Sequence, residues 1–189
     1  MSIKIYLDQG HNPRDFNTGA EGNGYYEQDI TYIIGILLYE LLSSRPEFEV
    51  RLSRPTPDTV LGTTNSTSLT ERVREANSWG ADLFISLHTN AAANSAASGS
   101  EALIYSYSSR VANAVAEDIL RELNLTTGLR NRGVIERPGL YVLRRTNMPA
   151  VLVEMGFISN SYDAELMANS PELFARGIYR GILDYYDLR

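Results

Sequence analysis

The chain has 189 residues, a net charge of −6 and no cysteine. The missing cysteines exclude disulfides, thiol nucleophiles and thiolate metal sites, so any metal must be held by histidine or carboxylate. Seventeen basic residues, with Lys4 the only lysine, form no stripe interleaved with aromatics, which argues against a nucleic-acid partner. A 43 % hydrophobic content with no long biased tract is that of one globular domain over residues 1–189. No apolar run reaches membrane-spanning length, so no membrane insertion is expected. The first residues enter a strand at once and carry no signal-peptide pattern, which leaves any export route outside this chain. With no apolar heptad seam, a monomer is expected.

In chain order, Ile3–Asp8 reads as a first strand that stops at Gly10. A loop rich in Asn, Gly and Asp follows from His11 to Gly24, longer than an ordinary connection. Tyr26–Leu42 has apolar residues at 30, 33, 34, 37, 38 and 41, the spacing of an amphipathic helix. Glu27 and Asp29 lie in its first turn, where negative charge suits the helix dipole. Phe48–Leu52 is a second strand and Arg54–Thr67 a polar loop. Ser68-Leu69-Thr70-Glu71 has the pattern of a capping box opening a helix that runs to Trp79.

Leu83–Leu87 is a third strand, ending at His88, and Asn90–Ser98 a mobile loop of small residues. Ala102–Tyr107 reads as a fourth strand and Arg110–Leu123 as a helix. Thr126–Arg132 reads as a loop, and Val134–Leu143 as a strand pair broken at Pro138-Gly139. The apolar run of Ala150–Val153 is a buried strand ending on Glu154. A short helix near Asp163–Ala168 and a longer one capped by Ser170, with Pro171 at its first position, complete the chain. Strands alternating with helices define an α/β class: a single domain whose twisted, mostly parallel sheet carries helices on both faces.

In such sheets ligands gather at the carboxyl ends of the strands. His11, His88 and Glu154 all fall where a strand is expected to end, and they include both histidines of the chain. A catalytic zinc takes three His, Asp or Glu ligands and keeps one position open. Two histidines leave the third ligand to a carboxylate: Glu27 at the start of its helix, with Glu21 and Asp15 as competitors. Glu154 would then move the proton of an attacking water, a pattern of metal-assisted amide hydrolysis. Each residue also has an ordinary structural use, Glu154 as an ion-pair partner of Arg132, Arg144 or Arg145 among them. Spacing alone carries the reading no further than a hydrolase.

Longer motifs carry it further. Leu7-Asp8-Gln9-Gly10-His11 is followed by Gly19-Ala20 and Glu27. Ser68 to Arg72 leads through Ala76-Asn77 to Ala81-Asp82-Leu83-Phe84-Ile85-Ser86-Leu87-His88-Thr89-Asn90-Ala91. Asn131 to Val134 and Tyr141 to Arg144 precede Met148-Pro149-Ala150-Val151-Leu152-Val153-Glu154-Met155-Gly156-Phe157-Ile158-Ser159-Asn160. In this order, over about Ile3 to Tyr185, the chain resembles the zinc-dependent N-acetylmuramoyl-L-alanine amidases of the type 3 group.

The resemblance implies a cell-wall lytic enzyme, autolysin or endolysin. Its substrate would be the peptidoglycan amide between N-acetylmuramic acid and the L-alanine of the stem peptide. It implies one Zn2+ on His11, Glu27 and His88, thereby selecting Glu27 over Glu21 and Asp15, and Glu154 as the catalytic glutamate. Asn90, Arg132 and Arg144 flank the implied cleft as candidate contacts to stem-peptide carboxylates. Asn12 stands where many members have glycine, a minor change in a loop. Neither a signal peptide nor a wall-binding repeat accompanies the domain, which leaves export route and targeting open; phage-type release, which needs no signal peptide, is compatible with the expected action on the wall. The rival expectations are a zinc peptidase cutting within the stem peptide and a non-catalytic wall-binding module.

Overall fold

A computed structural model of the chain describes residues 2–188. Its elements run β1 (Ile3–Gln9), β2 (Glu21–Gly22), β3 (Tyr25–Tyr26), α1 (Glu27–Ser43), β4 (Phe48–Leu52), α2 (Asn65–Trp79) and β5 (Leu83–Asn90). They continue with β6 (Ser100–Ile104), α3 (Arg110–Thr127), β7 (Asn131–Glu136), α4 (Tyr141–Arg145), β8 (Ala150–Phe157), α5 (Ser161–Asn169) and α6 (Pro171–Tyr185). The main sheet has the order β4-β1-β5-β8-β6-β7. All its neighbours are parallel except β6 and β8, which run antiparallel. The mostly parallel sheet expected from the alternation of elements is present.

Alternation along the strands sorts side chains onto two faces. Ile5, Leu7, Leu83, Ile85, Leu87, Val151 and Val153 join one apolar cluster with residues of α1, α3 and α6. Tyr6, Phe84, Leu103 and Leu152 point the other way, into a smaller cluster with Val73 and Ala76 of α2 and Val142 and Leu143 of α4. On α1 the buried stripe is Ile30, Ile34, Leu38 and Leu42, while Ile33 is exposed. Each such buried aliphatic contributes about 1.5–3 kcal/mol relative to exposure. The larger cluster therefore carries most of the stability, and the smaller one leaves its end of the sheet open for chemistry.

Several local expectations are corrected. The capping box lies four residues earlier: Thr64 caps α2 and exchanges hydrogen bonds with Thr67, while Ser68 is buried inside the helix. Val134–Leu143 is not a strand pair. β7 begins at Asn131, inside the expected loop, and after Pro138-Gly139 the chain forms the five-residue helix α4. Ser170 precedes α6 but makes no side-chain cap. The expected strand Ala102–Tyr107 starts at Ser100 instead, which brings Glu101 into the sheet. β8 continues three residues beyond Glu154 and β5 two beyond His88, so both side chains stand within strands rather than at their ends. The segment after Asn90 is also not loose. Asp163 accepts from Ser98 Oγ and from the Gly99 N–H, and Asn160 Nδ2 donates to the Ser95 carbonyl.

Candidate active site

His11 follows β1 in the left-handed region, with φ 69°. A non-glycine residue there costs about 1–3 kcal/mol and needs surroundings that enforce it. The Arg72 guanidinium supplies them from α2. Its Nη1 donates to Asp8 Oδ1 at 2.5 Å and to the Gln9 carbonyl at 2.6 Å, and its Nη2 to the His11 carbonyl at 2.7 Å. Asn12 is no minor loop residue. It is buried, and its amide both donates to the Leu61 carbonyl and accepts from the Leu61 N–H. The His11 ring is aimed in turn by its Nδ1, 3.2 Å from the Asn17 carbonyl, so its Nε2 is left to face the site.

Asp8 is buried on the same face. Burial would raise its carboxyl, but the Arg72 charge, the Ser86 hydroxyl and the Arg72 hydrogen bond outweigh that and hold it below the usual carboxylate range. None of this clamp was given a role by sequence reading. Arg72 stands inside a quoted motif, but its partners lie more than sixty residues away in the chain.

His88 projects from β5 onto that face. Gly10 makes room for it, because a Cβ there would come within 2.5 Å of the imidazole Cε1 and 2.6 Å of the Leu87 carbonyl. Glu27 opens α1 and is buried, and one of its oxygens receives both rings. Oε1 lies 3.2 Å from His11 Nε2 and 3.1 Å from His88 Nδ1, and it accepts the Thr89 N–H at 2.9 Å. Oε2 accepts the Ala20 N–H. Burial raises the Glu27 carboxyl, and the hydrogen bonds from the two histidines more than reverse this, leaving it far below the normal range. His11, Glu27 and His88 are the group among the described residues whose ligating atoms all fall within 4.8 Å of one another. Asp15 and Glu21 are exposed and stand outside that group.

Glu154 is the register partner of His88 on β5 and of Glu101 on β6. Because β6 runs antiparallel, its first residues reach the end of the sheet where β5 and β8 finish. That is how Glu101, which sequence reading missed, enters the site. Burial first, then the charges of Glu27 and Glu101, pushes the Glu154 carboxyl up to about 8. Its Oε2 is buried with no hydrogen-bond partner among the described residues.

Of the substrate-contact candidates, Asn90 and Arg132 are brought together here. Asn90 Nδ2 donates to Glu101 Oε1, and Arg132 Nε donates to Glu101 Oε2, both at 2.9 Å. Arg144 is exposed on α4 and is not brought to the group. The neighbouring residues Leu140, Tyr141 and Val142 instead wall a cavity of about 110 Å³ against His11 and His88.

Known proteins are similar to this chain in sequence and in fold. The Amidase_3 family, N-acetylmuramoyl-L-alanine amidase, matches residues 5–184. The amidase CwlM of Bacillus licheniformis is 35 % identical over 98 % of this chain and 70 % of its own length. The endolysin of Bacillus phage SPP1 is 35 % identical over all of this chain and 68 % of its own length. The crystal structure of N-acetylmuramoyl-L-alanine amidase from Clostridium difficile 630 superposes with a TM-score of 0.88 at 30 % identity. That match covers 98 % of this chain and 97 % of the other. These matches run over nearly the whole chain, and the chain belongs to the Amidase_3 family of N-acetylmuramoyl-L-alanine amidases.

Proposed function

We propose that this amidase is zinc-dependent. His11, Glu27 and His88 are the ligands, and Glu154 carries the proton in hydrolysis of the bond between N-acetylmuramic acid and L-alanine. The carrying observation is the convergence of two imidazole nitrogens on one buried Glu27 oxygen, beside a glutamate whose own oxygen has no partner. The donors suit the ion. Two imidazoles and one carboxylate are the donor set a catalytic zinc takes, and their ligating atoms all lie within 4.8 Å of one another. The Asn17 carbonyl behind His11 and the Thr89 N–H on Glu27 are the outer partners such a site needs.

Zinc bound there would act as a Lewis acid, acidifying water and polarising the amide carbonyl. The remaining chemistry belongs to the chain. Glu154 stands on the neighbouring strand, level with His88, and its partnerless buried oxygen is free to take and return a proton at the reacting group. It accepts the proton of the attacking water and returns it to the L-alanine nitrogen as the C–N bond breaks. The cavity wall at Leu140–Val142 excludes bulk water from one side of the reacting group.

The deciding experiment is mass spectrometry of muropeptides digested with zinc-loaded and chelator-stripped protein. The expected product is free stem peptide with an L-alanine amino terminus, made only by the zinc-loaded sample. Shortened stem peptides still attached to muramic acid would make the chain a zinc peptidase. Bound zinc with no cleavage would favour a wall-binding module, and failure to bind zinc would remove the metal site.

A further inference from the structure

Two irregularities in the sheet lie beside Glu154, one between β5 and β8 and one between β6 and β7. Between His88/Glu154 and Asn90/Phe157 the β5–β8 pairing slips by one residue, which brings Phe157 level with Asn90. Between Ser100/Asn131 and Ala102/Val134 the β6–β7 pairing slips as well, leaving Arg132 and Gly133 opposite Glu101. Gly133 has φ 94°, a conformation that side chains disfavour. Bulges of this kind re-aim side chains next to functional sites. Here they turn the Arg132 side chain back across β6 until its guanidinium carbon lies 4.9 Å from the centre of the Phe157 ring.

That guanidinium is held from several directions. Nε donates to Glu101 Oε2, Nη1 reaches the Ser98 carbonyl at 3.3 Å, and Phe157 lies under its plane. Glu101 is itself fixed by Asn90. Nη2 has no partner among the described residues, and the side chain is about one-third exposed. Thus Nη2 and the second N–H of Nη1 form an oriented fork for an incoming carboxylate, the geometry that arginine binds with two parallel hydrogen bonds. Arg144 lacks all of this support.

The position of the fork selects which carboxylate. Asn90, the partner of Phe157, is two residues beyond His88 along β5, about 7 Å at the usual strand rise. An extended peptide covers about 7 Å in two residues. If the scissile nitrogen sits at Glu154, a carboxylate on the second stem residue falls at Arg132.

We propose that Arg132, set by Glu101, Asn90 and Phe157, is the specificity residue that binds the free α-carboxylate of the second stem-peptide residue. The proposal rests on the amidase reading above. Glu101 is a positioning residue in it: one oxygen aligns Arg132 and the other orders Asn90.

The test compares two muropeptides that differ only at that carboxylate, free in one and a primary amide in the other. Wild-type protein should prefer the free acid, and Arg132→Ala should raise its KM about tenfold to a hundredfold while changing kcat little. The amide should be cut equally well by both proteins. Arg132→Lys, which keeps the charge and loses the fork, should recover only part of the KM. A second readout is calorimetric binding of both muropeptides to Glu154→Gln protein, where Arg132→Ala should weaken only the free acid. Equal losses on acid and amide, or a fall in kcat with KM unchanged, would overturn the proposal and leave the amidase reading intact. If wild-type protein releases stem peptide from neither substrate, the amidase reading fails first.

Discussion

Asp8 and Glu154 are two carboxylates on one face of the same sheet, and their surroundings are opposite. Around Asp8 every demand is met: Arg72 neutralises it, Ser86 donates to it, and its carboxyl is held down. Around Glu154 the neighbours are two further acids, one oxygen is buried without a partner, and the carboxyl is pushed up. A satisfied buried acid fixes the chain, here the strained turn that presents His11. An unsatisfied one is poised to exchange a proton. The difference separates the scaffold of the site from its chemistry, although both parts are made of similar residues.

The contrast predicts its own failure modes. Glu154→Gln should lower turnover by about a hundredfold to ten-thousandfold, the usual worth of a positioned acid–base group. Metal content should stay at the wild-type value, and retention of the wild-type rate by a metal-loaded variant would remove Glu154 from the mechanism. Arg72→Met should instead act on folding. Stranding the Asp8 charge costs about 3–5 kcal/mol, readable in urea unfolding, and pairing the change with Asp8→Asn should recover much of the loss. If the single variant proves as stable as wild type, the clamp is not what holds the His11 turn.

A further effect is on the pH profile of metal-free protein. Asp8 is depressed below its reference value of 3.8, so its contribution is present above that pH and is lost as pH falls through the lower folded value. Glu154 has the other sign. With its carboxyl raised from 4.5 to about 8, the folded chain keeps a proton that the unfolded chain releases, so stability declines as pH rises across that window. Glu154→Gln should flatten the decline, and an unchanged slope in chemical unfolding between those pH values would contradict this assignment.

The sequence exposed the chemistry-bearing residue types better than the scaffold. The histidines and Glu154 stood out because such side chains at the margins of apolar strands need a reason, whereas Glu27 was set apart from Glu21 and Asp15 only by the family resemblance. Arg72 did not, since its use depends on Asp8 and the His11 carbonyl, brought together only by the packing of α2. Glu101 was hidden by the direction of β6, because a residue at the start of a parallel strand would lie at the opposite end of the sheet. α4 is too short to show helical periodicity, so Leu140–Leu143 read as strand. Ser68 read as the cap because Glu71 follows it by three residues, whereas the observed cap, Thr64, pairs with Thr67 and Ser68 packs beside Asn17.

The strand order also bears on when the enzyme comes into being. β8 is the last strand in the chain, yet it lies between β5 and β6. Until it inserts, β4-β1-β5 and β6-β7 are separate sheet fragments, and joining them means closing pairings such as Phe84 with Ala150. Such distant pairings form slowly compared with local ones. The same strand carries Glu154, so Glu154 stands beside His88 and Glu101 only once these long-range pairings have formed.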